Sequence, residues 1–418
     1  MRGRGIDLRQ VMAAFLTLSM FGMLGNMIKR DHFDTLQVKY PARSTIQFNS
    51  IKITGLSLAN TASANEQFWM NDSHKLNPCW NISAPRQQPS QGYITFSLTK
   101  GPEYHVSQIA VAVLVARELG ATLMLPDIKG RKPGDKRKFT EIYDAEEFAN
   151  RWSGVIKVAR NQWALASSRK LLVVKVPYMV SKYYIRTHIK PLFKAEGSLR
   201  LETPLSSINM KRAEGTNILD PITCLVIFRT LQLQTEVRQL VNRMIGRLKT
   251  SGGESNGQFI AVDLRVEALQ SNSCQQSGSA EMKFCYHAQD VGEFLTKIGI
   301  SNETPIYVTR SRWHKNLKPL KDIFPRTYTK EFLMPLDKKE MFLSSASCEL
   351  EKVMDFYLAS ESDIFIPASA DLFYARVAGS RIASGRTGIL VPTSTSSLSQ
   401  ISPYISEKKQ HYAYSCFC

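Results

Sequence analysis

The sequence predicts an α/β fold with two Rossmann-like lobes behind an N-terminal transmembrane helix. Three observations carry this prediction: an uncharged segment over residues 11–28, two runs in which strand and helix patterns alternate, and a Gly/Ser-rich break, LKTSGGESNG, between those runs. Strands that alternate with helices form parallel sheets. With 43% hydrophobic and 22% charged residues, the composition is that of a folded protein and excludes a disordered chain.

The N-terminal segment from Val11 to Ile28 has the length of a short membrane span. The arginines that precede it favour a cytosolic N-terminus; they are Arg2, Arg4 and Arg9. A cleaved signal peptide is the alternative, but no small-x-small site follows the segment, so a retained anchor is favoured. We therefore expect a cytosolic tail over residues 1–10, an anchor over 11–28 and a polar stem over 29–75.

Two further features fit a protein body in the secretory lumen. Asn71, Asn81 and Asn302 each begin an Asn-x-Ser/Thr triplet, which is the acceptor pattern for N-glycosylation. The seven cysteines lack the paired spacing of a zinc site, and they would lie in an oxidising compartment. Cys274 and Cys285 flank a short Gly/Ser loop and are the pair expected to be bonded, whereas the connectivity of the others stays open.

Two lobes are expected, over residues 76–247 and 258–418. In the first lobe the patterns predict strands Tyr93–Leu98, Thr122–Leu125 and Leu171–Val176 and a helix Val106–Leu119. In the second they predict strands Phe259–Val262, Pro305–Thr309 and Asp363–Ile366 and helices Ala288–Ile298, Glu349–Leu358 and Leu372–Ala383. Ligands of parallel sheets bind beyond the carboxyl ends of the strands, so the site is expected in the cleft between the lobes.

The formal net charge of +18 indicates an anionic partner, such as a nucleic acid, an acidic membrane or glycan surface, or a phosphate-bearing small molecule. A nucleic acid is disfavoured because a lumenal protein does not meet one. The local basic cluster lies around a Pro133-Gly134 turn, which favours a solvated loop over a binding site. Its members are Lys129, Arg131, Lys132, Lys136, Arg137 and Lys138.

The segment Asp263-Leu264-Arg265-Val266-Glu267 follows the predicted strand QFIAV. An arginine at a strand end can offer its planar fork to a diphosphate and neutralise the charge that grows on a leaving group. The alternative is that Arg265 forms a structural ion pair with Asp263 or Glu267, and the sequence leaves both open. No Asp-x-Asp is present, so we expect chemistry without a metal, in which Arg265 and backbone amides replace the cation.

In the loop TKGPEYH of the first lobe, Glu103 and His105 are the groups able to act as a base or an acid. The alternative for Glu103 is a helix-entry carboxylate that the helix dipole favours. The sequence contains no P-loop or kinase pattern, which disfavours a phosphoryl-transfer enzyme.

These segments resemble the plant protein O-fucosyltransferase-like family. Arg265 and Glu267 match its His-x-Arg-x-Glu pattern, with Asp263 in place of the histidine. The stretch TKGPEYHVSQIAVAVLVARELGATLMLP matches the family's first βαβ unit, although the Asn and Arg of the family's loop are missing. The stretch DFYLASESDIFIPASADLFYARVAGSR matches its donor-cradling segment, with Asp371 and Leu372 where the family offers paired hydroxyls. An aspartate there repels a diphosphate unless it is protonated or turned away.

The resemblance implies a GT-B-type glycosyltransferase with a GDP-sugar as its donor substrate and no further cofactor. The implied catalytic residues are Glu103, His105 and Arg265. The implied donor-binding residues are Gly101, Asp263, Arg265, Glu267, Asp355, Asp363, Ser369 and Phe373.

Several short stretches, among them GQFIAVDLRVE, KDIFPRTYTKE and AYSCFC, are similar to the mannan synthesis-related group of that family. This similarity implies transfer of mannose or fucose to a cell-wall mannan or glucomannan by a single-pass type II protein of the Golgi membrane. It also implies a possible complex with a mannan synthase. The alternative is a non-catalytic pseudo-enzyme that supports such a synthase, which the altered Asp263, Asp371 and first-lobe loop motivate.

Overall fold

The computed structural model describes residues 76–78, 90–130, 134–159, 171–178, 180–204, 220–253, 257–264, 286–343, 348–367, 371–392, 400–401 and 411–417. The predicted anchor and stem, residues 11–28 and 29–75, lie outside these ranges. Among the described helices, none combines the length and the apolar character needed to cross a membrane. All the described residues belong to one compact unit.

The first lobe contains a parallel sheet and a small mixed sheet, which are built from eight described strands. They are β1 Tyr93–Phe96, β2 Leu98–Thr99, β3 Thr122–Met124, β4 Ile128–Lys129, β5 Lys136–Arg137, β6 Lys157–Ala159, β7 Leu172–Lys175 and β8 Ser198–Glu202. Five of them form a sheet in the order β6–β3–β1–β8–β7, in which every neighbouring pair is parallel. The predicted parallel arrangement is confirmed. Three residues of the basic cluster, Lys129, Lys136 and Arg137, lie on β4 and β5, which pair antiparallel in a small separate sheet with β2.

The helices of the first lobe are α1 Pro102–Leu119, α2 Ala145–Arg151, α3 Lys182–Tyr184, α4 Lys190–Glu196, α5 Pro221–Leu225 and α6 Thr235–Ser251. Two π-helical turns, Ile185–Ile189 and Val226–Thr230, follow α3 and α5. Helix α6 runs into the predicted Gly/Ser break and ends only at Ser251. Its last turn is extended because the hydroxyls of Thr250 and Ser251 donate hydrogen bonds to the carbonyls of Gly246 and Leu248, at 3.0 and 2.8 Å.

The second lobe repeats the parallel plan. Its strands are β9 Ile260–Asp263, β10 Ile306–Thr309, β11 Thr327–Tyr328, β12 Ile364–Ile366, β13 Leu390–Val391 and β14 Gln400–Ile401. Its helices are α7 Ala288–Lys297, α8 Lys318–Ile323, α9 Lys330–Leu333, α10 Leu336–Leu343, α11 Cys348–Glu361 and α12 Leu372–Ala383. The main sheet has the order β11–β10–β9–β12 and is parallel throughout. Each main sheet lies within one predicted lobe, but the lobe boundaries stay predictions.

Helix α1 joins the two lobes. It begins at Pro102 rather than at the predicted Val106, because a proline in the first turn gives up no helical hydrogen bond. It ends at Gly120, whose left-handed φ of 64° a glycine adopts without strain. The helix packs on β1 and also against α5, α11 and α12, so it is buried on most sides rather than on one face.

A disulfide joins Cys224 of α5 to Cys416 near the C-terminus, 192 residues apart in sequence. In the chain-entropy model, closing a loop of that length stabilises the fold by about 5 kcal/mol. Cys224 and Cys416 are both buried, within a cluster that also contains Tyr412 and Phe417. The predicted pair, Cys274 and Cys285, lies outside the described residues, so that pairing stays a prediction.

Candidate active site

Two charged side chains stand at the carboxyl edge of the second sheet. Asp263 is the last residue of β9, and Arg310 directly follows β10, whose Thr309 is in register with Asp263. Carboxyl ends of parallel strands are where α/β proteins bind their ligands. Arg310 therefore occupies the kind of position for which the sequence favoured Arg265, a residue that lies outside the described part of the chain.

Arg310 bridges two carboxylates. Its Nε donates to Asp263 Oδ1 at 2.6 Å, and its Nη2 pairs with Asp263 Oδ2. Its Nη1 donates to Asp371 Oδ2 at 2.6 Å, and the Thr309 hydroxyl donates to Asp263 Oδ1 at 3.0 Å. The network therefore connects the end of β9 to the start of α12.

The backbone of Arg310 has a φ of 55°, a left-handed conformation that is uncommon for any residue but glycine. Such a conformation costs about 1–3 kcal/mol and persists only where the surroundings hold it. Burial acts to lower the pKa of Arg310, but Asp263 and Asp371 outweigh it and leave that pKa raised. The guanidinium is therefore a permanent cation held in a fixed orientation.

Asp371 has two roles that the sequence did not separate. Its Oδ1 accepts a hydrogen bond of 3.0 Å from the backbone N–H of Tyr374, so it caps the N-terminus of α12. Its Oδ2 accepts from Arg310. The predicted repulsion of a diphosphate by this aspartate is thus offset, because a guanidinium compensates its charge.

The predicted donor-binding residue Phe373 is buried directly beside this network. The Arg310 Cζ lies 4.3 Å from the centroid of the Phe373 ring, which is a cation–π distance. Asp263 and Phe373 are thus brought together through Arg310, although the two residues are far apart in sequence.

The first lobe contributes Glu103 from the first turn of α1. Burial raises the pKa of Glu103, and its own backbone N–H, Arg310 and Lys352 partly oppose this shift. Its Oε2 is buried and has no hydrogen-bond partner among the described residues. The carboxyl group folds back on Gly101, where an added Cβ would lie 2.7 Å from Oε2. Gly101 therefore makes room for the Glu103 carboxyl.

His105 is fully buried behind Glu103. Its Nδ1 lies 2.8 Å from the Tyr143 hydroxyl, and the two rings meet edge to face. Burial, with a contribution from the charge of Lys352, lowers the pKa of His105 to about 3, so the ring is neutral at physiological pH. The side chain of His105 has no exposed surface, and its predicted catalytic role stays a prediction.

Two other predicted donor-binding residues have structural partners elsewhere. Asp355 accepts a hydrogen bond of 2.6 Å from the Tyr307 hydroxyl and pairs with Lys330 at 2.9 Å. Asp363 precedes β12 and accepts a hydrogen bond of 2.9 Å from the backbone N–H of Phe259. Asp363 thus lies at the amino edge of the sheet, roughly 10 Å of strand away from the Asp263 edge.

Several predicted residues lie outside the described part of the chain, so their roles stay predictions. They are Asn71, Asn81, Arg265, Glu267, Cys274, Cys285 and Ser369. Asn302 is exposed in a turn before β10, where an attached glycan would meet solvent. Among the described residues, no group of three or more His, Cys, Asp or Glu lies close enough to hold a metal ion.

The residue that the sequence analysis missed is Arg310. Its signal was available, because Arg310 follows the strand PIYVT in the way that Arg265 follows QFIAVDL. Lys352 was also missed: it reaches from α11 to the carbonyl of Lys100, in the loop before α1, and pairs with Glu349 at 3.0 Å. A basic residue on a helix gives no such signal, since most are solvated.

Two parallel sheets, with charged groups of both lobes meeting at the carboxyl edge of one sheet, define an α/β protein with a ligand crevice. The chain belongs to the GDP-fucose protein O-fucosyltransferase family, whose pattern matches residues 93–383.

Proteins named for mannan synthesis are similar to the whole chain. Protein MANNAN SYNTHESIS-RELATED 2 of Arabidopsis thaliana is 49% identical over 424 residues, which cover 99% of this chain and 100% of the relative. Protein MANNAN SYNTHESIS-RELATED of Trigonella foenum-graecum is 43% identical over 420 residues, which cover 99% of each chain. A crystal structure of POFUT1 in complex with GDP superposes with a TM-score of 0.48 at 11% identity, over 73% of this chain and 99% of that one. The resemblance to mannan synthesis-related proteins is confirmed.

Proposed function

We propose that the protein is a Golgi glycosyltransferase that moves mannose or fucose from a GDP-sugar to a cell-wall mannan or glucomannan. Family membership supports the GDP-sugar donor and a GT-B-type arrangement of the lobes. The names of the relatives support the glycan. The observation that carries the proposal is Arg310 at the carboxyl edge of β10, in the electrostatic field of Glu103 from the other lobe.

In this proposal, donor binding replaces the Asp371 carboxylate with a diphosphate oxygen as a partner of Arg310. Asp263 has no exposed side-chain surface, whereas 27% of the Asp371 side chain is exposed. A diphosphate oxygen takes over the Nη1 donor of Arg310 from Asp371, while Asp263 keeps the guanidinium oriented. Arg310 then stabilises the charge that develops on the departing diphosphate, with Arg265 as a second fork by resemblance.

Transfer then proceeds by attack of an acceptor hydroxyl on the anomeric carbon of the donor sugar. The bond between that carbon and the diphosphate oxygen breaks, GDP leaves with the electron pair, and Glu103 accepts the hydroxyl proton. The raised pKa of Glu103 suits it to this task, because a general base works best when its pKa approaches the working pH. No metal enters the proposal.

The test is transfer by the full chain from labelled GDP-mannose or GDP-fucose to a mannan oligosaccharide. The wild type should label the acceptor from one of the two donors. Glu103→Gln should lower turnover by roughly 10²–10⁴-fold while GDP still binds, because only proton transfer is removed. Glu293→Gln, on the exposed face of α7, is the matched control. A folded wild type that labels no acceptor from either donor would contradict the proposal.

For location, we propose a type II protein anchored by residues 11–28 with the remainder in the Golgi lumen. The uncharged segment and the preceding arginines support it. Protease treatment of sealed microsomes should spare residues 29–418 until detergent is added. Digestion of the main body in intact vesicles would contradict it.

A second candidate is a non-catalytic partner that supports a mannan synthase. The observation that favours it is that Asp263 and Asp371 already compensate the charge of Arg310. Complementation of plants that lack the gene separates the two functions. Glu103→Gln should restore glucomannan content if the protein is a non-catalytic partner, and should fail to restore it if the protein is a transferase.

A further inference from the structure

A cavity separate from the Arg310 network lies where the two lobes and the C-terminal segment meet. Its volume is about 330 Å³. It is lined by α1 and the turn after α5 on one side, by α11 and α12 on the other, and by Phe417. None of Asp263, Arg310 and Asp371 belongs to its described lining. The cavity is therefore distinct from the Arg310 network, although Pro102 of its lining lies next to Glu103 in the chain.

The cavity holds a buried cation that has no carboxylate partner among the described residues. Arg376 of α12 is only 3% exposed. Its partners are neutral hydroxyls: Tyr412 at 2.5 Å, Tyr178 at 3.3 Å, and Ser107. Its Nε is buried and donates to no acceptor in this part of the chain. Buried charges in proteins are normally paired, because an unpaired charge loses its hydration without compensation.

The partners of Arg376 differ in kind from those of the other largely buried arginines of the second lobe. Arg310 has two carboxylates, and Arg381 donates to a ring of backbone carbonyls that includes those of Ala359, Asp363 and Gly388. Arg376 has three hydroxyl oxygens and the ring faces of Tyr178 and Tyr412 as partners, and none of these carries a full negative charge. An anion bound in the cavity would therefore compensate the positive charge of Arg376.

The remaining lining agrees with an anionic ligand that carries a ring. A second arginine, Arg229, lines the cavity and is exposed, whereas no described lining residue is acidic. Five aromatic side chains supply apolar walls; they are Tyr143, Phe228, Phe356, Tyr357 and Phe417. Ser380 and Ser384 add hydroxyl groups. Aromatic walls with a few polar groups are the usual composition of a small-molecule site.

The volume of the cavity limits the size of the ligand that it can hold. Ligand pockets span roughly 300–1,000 Å³, so this cavity lies at the lower end of the range. It suits a single monosaccharide with one charged group and is small for a nucleotide sugar.

We propose that this cavity binds a monosaccharide that carries one oxyanion, with Arg376 and Arg229 as its anion-binding residues. The oxyanion is the phosphate of a hexose phosphate or the carboxylate of a uronic acid. Arg376 donates to Ser107 of α1 while lying on α12, so the ligand occupies the joint between the two lobes. This site goes beyond the proposed transfer reaction and does not depend on it.

The test is calorimetric titration of the full chain in detergent with mannose 6-phosphate, glucuronate, mannose and inorganic phosphate. One of the two charged sugars should bind with one ligand per chain, and the tighter of the two identifies the source of the oxyanion. Mannose and inorganic phosphate should each bind at least about tenfold more weakly, because mannose lacks the oxyanion and inorganic phosphate lacks the sugar ring.

Arg229→Glu should weaken binding of the charged sugar on the order of tenfold or more, because it reverses a charge of the lining without disturbing a buried contact. Arg243→Glu, an exposed arginine of α6 outside the cavity, is the matched control and should leave affinity within about twofold. Arg376→Gln should abolish binding.

Three results would overturn the proposal: neither charged sugar binds, Arg229→Glu binds as the wild type does, or saturating GDP abolishes binding. The Arg229 variant keeps the test decisive even if Arg376→Gln fails to fold.

Discussion

Replacing Arg310 with alanine removes the centre of the network at the carboxyl edge of β9 and β10. The change leaves Asp263, whose side chain has no exposed surface, without its guanidinium partner. Asp371 loses the same partner, but it remains partly exposed and still caps α12. The stability of the variant is therefore governed by the buried carboxylate of Asp263.

Removing one partner of a buried ion pair costs about 3–5 kcal/mol. The Arg310 side chain is 15% exposed, so water can enter the space that it leaves, and we expect the lower end of that range, about 3 kcal/mol. For a protein of this size each kcal/mol lowers the unfolding midpoint by roughly 1 °C, which gives a decrease of about 3 °C. Neutralising Asp263 in the same chain should recover part of the loss, because the buried side chain then carries no charge that the lost guanidinium would have to compensate.

Thermal unfolding of Arg310→Ala, Asp263→Asn and the double variant measures this coupling. Arg243→Ala is the control, an exposed arginine whose loss should change stability by no more than about 0.5 kcal/mol. The double variant should be more stable than the sum of the single effects predicts, by about 1–2 kcal/mol. Strictly additive effects would refute the ion pair as the reason for the position of Arg310.

Three further predictions concern the surroundings of the site. Burial lowers the pKa of His105 to about 3 and that of His411 to about 3, so the unfolded chain binds more protons between about pH 6.5 and pH 3. The free energy of unfolding should therefore fall as the pH is lowered through that window, by up to about 1.4 kcal/mol per pH unit for each histidine. If the unfolding midpoint of His105→Asn had the same dependence on pH as that of the wild type, the lowered pKa of His105 would be contradicted. Cys224→Ser should lower stability by about 2–5 kcal/mol, and a reductant should shift the midpoint of the wild type more than that of the variant. Gly101→Ala should lower transfer while GDP binding is kept, because its Cβ displaces the Glu103 carboxyl; unchanged turnover would show that the carboxyl position is not needed.

The second lobe could be predicted well because its strands are buried on both faces. The segments that form β9, β10 and β12 are continuous apolar runs, which is the signature of a covered parallel sheet. The sequence analysis missed β8, although this strand lies between β1 and β7 in the first sheet. Its sequence, SLRLE, alternates apolar with polar residues and is too short to separate from a loop.

The sequence predicts an arginine at the carboxyl edge of the second sheet, but it does not predict which residues pair with that arginine. Because ligands of parallel sheets bind beyond the carboxyl ends of the strands, an arginine at such an end is a candidate ligand-binding residue, and this holds for Arg310 as well as for Arg265. What the sequence could not supply was the pairing of Arg310 with Asp371, 61 residues further along the chain. The same holds for Cys224 and Cys416, because nothing in local spacing links residues separated by 192 positions.

The central claim is that Arg310 receives the donor diphosphate in place of Asp371. Titration of GDP into the full chain and into Asp371→Asn tests it most directly, because asparagine keeps the cap of α12 and removes the competing charge. Asp371→Asn should bind GDP about tenfold more tightly than the wild type, and Arg310→Lys should bind it about tenfold more weakly because lysine lacks the planar fork. GDP affinity that is unchanged or weaker in Asp371→Asn would contradict the account.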